Sequence, residues 1–245
     1  LTETTKQALK EYLHGDSIVL YASYADEYKN QLPYDYGFVG EDGEQVRAYP
    51  HTFEADMDFK PSRVLNDNGR YVKNCLRFVE DYGNDLKSGA KDMDDSTRFV
   101  KIVMIVHWLG DMHCPEHIRY NPDDMTIGYY KVKYKGEDIR YHTFWDDQYL
   151  TLKYHWSFSD IAHLCDSASS GEIKAITAGD VWTGAEDAAR CSWPVHAMKE
   201  GETIDTAYIY EHLPLLRSQL AKAGYRLAHT LNCIFDAKYA KKAGR

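Results

Sequence analysis

The stretch from Asp94 to Pro115 constrains this chain most. It opens on Asp-Asp-Ser-Thr (94–97), a helix-capping composition, and runs almost wholly apolar from Phe99 to Leu109. It is expected to stop before Pro115, which has no amide hydrogen and disrupts a helix interior. The pattern predicts a helix over 95–113. Lys101 and His107 interrupt the apolar run, and it is shorter than the roughly 20 residues a bilayer-spanning helix needs.

Helical periodicity dominates elsewhere too. Residues 3–14 place Ala8, Leu9, Tyr12 and Leu13 on one side, and Gly15 ends the run. Residues 17–30 carry a stripe of Ile18, Ala22 and Ala25 beside Val19, with Asp26 breaking into that face. Residues 62–82 space Val64, Leu65, Val72, Cys75, Leu76 and Val79 at helical intervals. A late helix is expected from about Tyr208 to Lys238, with Pro214 near its first turns. Residues 127–141 differ. Tyr130, Val132 and Tyr134 alternate with Lys131, Lys133 and Lys135, and Gly136-Glu137-Asp138 is the expected turn of a small hairpin. Residues 32–61, with three prolines and three glycines, read as a long irregular loop, and such loops are usually functional. No repeat or linker divides the sequence, so residues 1–245 read as one mainly α domain.

Net charge narrows the partners. The 29 Lys and Arg against 38 Asp and Glu leave −9, which argues against a broad basic surface for duplex nucleic acid. A polyanion can still bind at a metal site, because bound cations reverse the local field. The five cysteines are odd in number and form no C-x-x-C pair, so spacing alone reads them as scattered thiols.

The chemistry concentrates in H-W-L-G-D-M-H-C-P-E-H, residues 107–117. His107 and Asp111 are four apart, which stacks them on one helix face. His117 follows Pro115. His142 and Asp146, in H-T-F-W-D, repeat the four-residue spacing. A lone H-x-x-x-D pair is most often an ion pair. Two such pairs with His117 between them form a metal-ligand pattern, since imidazole and carboxylate suit zinc and its neighbours. His113 is off the His107/Asp111 face and reads as a supporting residue. His14, His155, His163, His196, His212 and His229 show no partner pattern.

These residues resemble the zinc-dependent single-strand nucleases and 3′-nucleotidases of the S1/P1 type. A-S-Y-A-D-E-Y-K (22–29) resembles the family's Ala-x-Trp-Ala-Asp-x-x-Arg helix. Y-P-H, ending at His51, resembles its Leu-His or Trp-His loop. V-H-W-L-G-D-M-H-C-P-E-H (106–117) resembles its Val-His-Phe-x-Gly-Asp-x-x-Gln-Pro-Leu-His signature, and H-T-F-W-D (142–146) its His-x-x-Trp-Asp segment. Trp182, Glu186 and Cys191 resemble its Trp…Glu-Ser…Ala-Cys stretch, and residues 223–232 its C-terminal helix.

The resemblance implies a phospholipase C-like helical fold with up to three zinc ions. Asp26, His51, His107 and Asp111 would hold one zinc; His117, His142 and Asp146 a second. Asp111 would bridge to a third, whose other family ligands, an amino-terminal Trp and a nearby His, have no counterpart in this sequence. It further implies an export signal and roughly twenty residues ahead of Leu1, judged from the helix pattern, with a secreted or periplasmic location. A Cys75–Cys191 disulfide goes with it. Asp26 would also orient the attacking water, and Lys29, at the family's Arg position, would contact phosphate. Phe53, Glu54 and Trp145 are candidate substrate contacts, the aromatic pair being equally readable as core. The implied activity is hydrolysis of single-stranded DNA, RNA and 3′-nucleotides to 5′-phosphates, by a chain that spans no membrane and is expected to be monomeric. A phospholipase C-like or general phosphomonoesterase, and a zinc-binding protein without catalysis, are the alternatives.

Overall fold

The computed structural model describes residues 1–28, 51–63, 74–120, 130–149 and 157–245, and they are mainly helical. They fall into two compact units. The first holds residues 1–51, 63–111 and 224–245; the second holds 52–62 and 112–223.

The first unit is organised by the Asp95–Asp111 helix. The Asp94 side chain caps it by accepting from the Thr97 amide at 2.9 Å. Every residue from Ile102 to Leu109 is buried, so this stretch of the helix has no wet face and must be surrounded. Helices Glu3–Tyr12 and Cys75–Gly89 pack on it. Trp108 lies against Phe78 and Tyr82, each 5.4 Å between ring centroids. The N-terminal helix is tied to the C-terminal segment by the Thr2 amide on Asn232 Oδ1 (2.9 Å) and by Tyr12 on Phe235.

Two helices differ from the sequence expectation. The one expected over 62–82 begins at Cys75, capped by Asn74, whose side chain accepts from the Leu76 amide, and runs on to Gly89. Val64, Leu65 and Val72 lie outside the described residues. The 17–30 stretch is a 3-10 turn, Ile18–Tyr21, and a short helix, Tyr24–Glu27. Of its apolar stripe only Ala25 is buried, while Val19 is exposed. Ser17 caps the first turn by accepting the Val19 amide on its side chain, in keeping with the way serine competes for backbone groups, whereas the Ser23 hydroxyl donates to the Glu27 carboxylate at 2.7 Å. Lys29 lies outside the described residues.

The second unit centres on the expected hairpin, Lys131–Tyr134 with Glu137–Arg140. Its turn is Lys135-Gly136, with φ of 53° and 86°, the two-residue geometry that matches strand twist. Glu137 and Asp138 therefore belong to the return strand, not to the turn. Thr203–Ile204 adds a third, parallel strand. Val132, Tyr134, Tyr141, Phe144, Trp145, Tyr149, Val195 and Ile204 form the core on this sheet.

The end of the supposed irregular loop is ordered. Phe53 and Glu54 pair in parallel with Ile118 and Arg119, directly after His117. Three helices that the periodicity did not single out, Phe158–Cys165, Ser170–Ile176 and Val181–Ser192, each start from a reciprocal capping box at Ser157, Ser169 and Asp180. Gly179 precedes the last with φ of 79°. A Cβ there would meet the Thr183 hydroxyl at 2.5 Å, so both backbone and space require glycine. The late helix runs Thr206–Phe235, and Asp236 caps a separate final helix, Ala237–Lys242.

Candidate metal centre

Each unit carries its own group of ligand-type side chains. In the first unit, one helical turn brings His107 Nε2 to 3.1 Å from Asp111 Oδ2. His107 Nδ1–H donates to the Ala22 carbonyl at 2.8 Å. That bond fixes the ring and commits Nε2 as the ligand atom, the usual support for a metal-bound histidine. Asp26 Oδ2 is 3.9 Å from the same Nε2, and a ligand atom of His51 lies within 4.8 Å of one on Asp111. The structure thus brings Asp26, His51, His107 and Asp111 together. Burial lowers the His107 proton affinity, but Asp111, the Ala22 carbonyl and Asp26 outweigh it and raise the pKa to about 9. The pocket is built to hold positive charge.

In the second unit, His117 Nε2 is 3.4 Å from Asp146 Oδ1, and His142 Nε2 is 3.5 Å from Asp146 Oδ2. The two imidazoles stack at 4.8 Å, nearly parallel. His142 Nδ1–H donates to the Glu116 carbonyl at 3.3 Å, again leaving Nε2 for a ligand. Phe144–Gln148 is a π turn closed by the Tyr149 amide on the Phe144 carbonyl at 2.8 Å. Such turns are frequent at functional sites, and this one carries Asp146. His117 is almost completely buried, whereas Asp146 is 41% exposed, so the group is anchored on one side and open on the other.

The donor chemistry and spacing fit a cation. A tetrahedral ion with nitrogen and oxygen ligands at roughly 2.0–2.1 Å keeps those atoms about 3.3 Å apart. The separations of 3.1, 3.4 and 3.5 Å lie near that edge length. The two pairs at four-residue spacing are more than helix-surface ion pairs, because His107 and His142 are also held through Nδ1 by a backbone carbonyl.

Other expectations are corrected. Phe53 is fully buried and Trp145 is 3% exposed. Trp145 packs edge-on against Tyr149, Tyr208 and His212 and donates to the Tyr208 hydroxyl at 3.2 Å. Both aromatics are therefore core groups, not base-stacking surfaces. Glu54 is half-buried in its strand, and its carbonyl accepts the Ser62 amide at 2.7 Å, which leaves its carboxylate as a candidate substrate contact. Cys75 and Cys191 are thiols, not a disulfide. The Cys75 thiol is buried, and its pKa is pushed up by burial and then by Asp111. Cys191 Sγ lies 3.3 Å from Lys222 Nζ and 3.7 Å from Asp187.

Sequence reasoning missed one buried pair. The Glu116 carboxylate is wholly inside, with His196 Nδ1 3.6 Å from its Oε1. Burial pushes the Glu116 pKa up to about 8, opposed by the neighbouring His117. His196 Nε2 lies 3.2 Å from the Pro115 carbonyl, so this histidine braces the turn that carries His117. The two residues are eighty positions apart, and no local spacing relates them.

The chain is mainly helical and carries two groups of His and carboxylate side chains. A family model described as S1/P1 Nuclease matches residues 1–236, and the chain belongs to that family. Among similar proteins of Arabidopsis thaliana, Endonuclease 2 is 26% identical over 195 residues, 69% of this chain and 63% of its own length. Endonuclease 5 is 23% identical over 260 residues, covering 95% of this chain and 83% of that one. Endonuclease 3 is 24% identical, covering 80% and 75%.

Proposed function

We propose that the protein is a zinc-dependent nuclease that hydrolyses single-stranded DNA, RNA and 3′-nucleotides to 5′-phosphate products. Family membership supports nucleic acid as the substrate class. The observation that carries the metal dependence is the His117–His142–Asp146 group, whose ligand atoms sit at tetrahedral edge spacing with His142 oriented from behind.

Zinc held by such ligands supplies Lewis acidity toward phosphoryl oxygens and a water ionised near neutral pH. The chain's own residues do the rest. His107 and His142, fixed through Nδ1, turn Nε2 toward Asp111 and Asp146 without having to reorganise. Asp111 and Asp146 supply the negative charge that holds a dication. Asp26, more than half exposed, is the carboxylate open enough to accept a proton from an attacking water. The −9 net charge leaves substrate attraction to the charged centre and not to the general surface.

The test combines metal analysis with substrate choice. Purified protein should contain zinc, lose hydrolysis of single-stranded DNA on chelation, and regain it on zinc addition. Single strands should be cut faster than duplex, with phosphatidylcholine untouched. Full nuclease turnover after verified removal of all metal would overturn the proposal.

A further inference from the structure

Cys114 stands where the resembled signature carries glutamine, and its sulfur lies in the second unit's ligand group. A 3-10 turn, Pro115–His117, follows it, and the His117 amide donates back to the Cys114 carbonyl at 3.0 Å. Cys114 itself is extended, with φ of −76° and ψ of 122°, and the turn that follows brings the chain back beside it. Cys114 Sγ, a ring nitrogen of His117 and a carboxylate oxygen of Asp146 lie within 4.8 Å of one another. His142 reaches the same carboxylate. Cys114 is half-buried against the core, His142 is partly open and Asp146 is exposed, so the sulfur closes the set from the protein side.

We propose that Cys114 is a thiolate ligand of the metal held by His117, His142 and Asp146, making that centre a Cys-His-His-Asp site. The inference rests on the zinc-dependent reading above. On binding, the Cys114 S–H bond breaks, the proton leaves to solvent and a sulfur–metal bond forms, with no change in oxidation state. Sulfur at roughly 2.3 Å and nitrogen or oxygen at roughly 2.0–2.1 Å satisfy four-coordinate zinc without a further ligand. The thiolate makes the centre softer, favouring zinc over magnesium or manganese. With Asp146 it also neutralises the dication, so this ion is the less Lewis-acidic of those the chain binds and serves more to hold than to activate.

Cobalt(II) is the probe, because a cobalt–thiolate bond adds near-ultraviolet charge-transfer absorption to the visible bands that nitrogen and oxygen ligands give. Cobalt-loaded wild-type protein should show that absorption. Cys114→Ser should lose it while keeping visible bands, and Cys191→Ser should keep both. In the wild type, zinc should shield Cys114 from alkylation, read by peptide mass mapping, and a chelator should restore labelling. Cys114→Ser should bind one zinc at least about tenfold more weakly. Visible cobalt bands without charge transfer, or charge transfer that survives Cys114→Ser, would overturn the thiolate ligand and leave the nuclease reading intact. A wild-type protein that takes up neither cobalt nor zinc would overturn both. The alkylation measurement needs no variant, so it decides the matter even if Cys114→Ser folds poorly.

Discussion

His107 donates its Nδ1 hydrogen to the carbonyl oxygen of Ala22, 2.8 Å away and 85 residues earlier in the chain. The bond does two things at once. It positions the turn that carries Asp26, and it leaves Nε2 pointing at Asp111. An asparagine amide can replace the first role but not the second, since its nitrogen sits near the place of Nδ1 and nothing occupies the place of Nε2. His107→Asn is therefore expected to fold with a melting temperature close to that of metal-free wild type while losing metal and more than about 100-fold of turnover. Metal analysis and thermal unfolding on the same preparation check it. Retention of full metal content would remove His107 from the ligand set.

Metal occupancy should stabilise the fold as well as activate it. A ligand bound only to the folded state adds stability that grows with its free concentration, about 1.4 kcal/mol per tenfold excess over the dissociation constant. Chelated protein should melt at a lower temperature, and zinc should restore it in a dose-dependent way. A melting curve indifferent to both treatments would contradict the two ligand groups.

Acid should weaken the helix that carries His107 and Asp111. The Thr97 amide and hydroxyl hold the Asp94 carboxyl below the usual carboxylate range. A depressed folded pKa contributes stability that is complete above the unfolded value, about 3.9, and is lost as pH falls through the folded value. Asp94→Ala should remove that contribution. Its stability should fall less steeply than wild type below about pH 4, read from unfolding midpoints across the acid range.

Phe53 separates a core role from a substrate role. It is fully buried in the strand that pairs with Ile118. Phe53→Ala should cost about 3–5 kcal/mol of stability. The milder Phe53→Leu should cost less and leave KM for single-stranded DNA unchanged. A raised KM with unchanged stability in Phe53→Leu would restore the stacking role.

The two His/Asp pairs were legible in the sequence because a helix repeats every 3.6 residues, so His107 with Asp111 and His142 with Asp146 announce shared faces. The second pair meets even though Asp146 rides a π turn, since α and π geometry both bring residues four apart to neighbouring positions. What stayed hidden depends on partners distant in sequence. The Phe53–Ile118 pairing, the Glu116–His196 contact and the burial of Trp145 beneath Tyr208 have no local period. The hairpin turn fell one residue early because Lys135 adopts a positive φ that favours glycine or asparagine, and only Gly136 advertised it. The capped helices between 158 and 192 carried their signal in single Ser and Asp residues, weaker than the apolar spacing used to find the others.

Two histidines of the second unit have opposite expected fates. His212 Nδ1–H donates to the Tyr208 carbonyl at 3.0 Å, and its ring stacks on the Tyr208 phenol at 4.1 Å. Its edge contact with Trp145 makes it part of the core's lid. His142 differs in the one respect that counts: its backbone bond goes to Glu116, and its other nitrogen faces Asp146. His212→Ala should therefore lower the melting temperature and leave metal content and kcat near wild type. His142→Ala should lose metal from its site and more than about 100-fold of turnover, with a smaller structural loss once both proteins are compared without metal. Parallel metal analysis, melting and turnover on the pair check this. Equal loss of metal in both variants would mean that disruption of the Tyr208 core, and not removal of a ligand, explains the effect of His142→Ala.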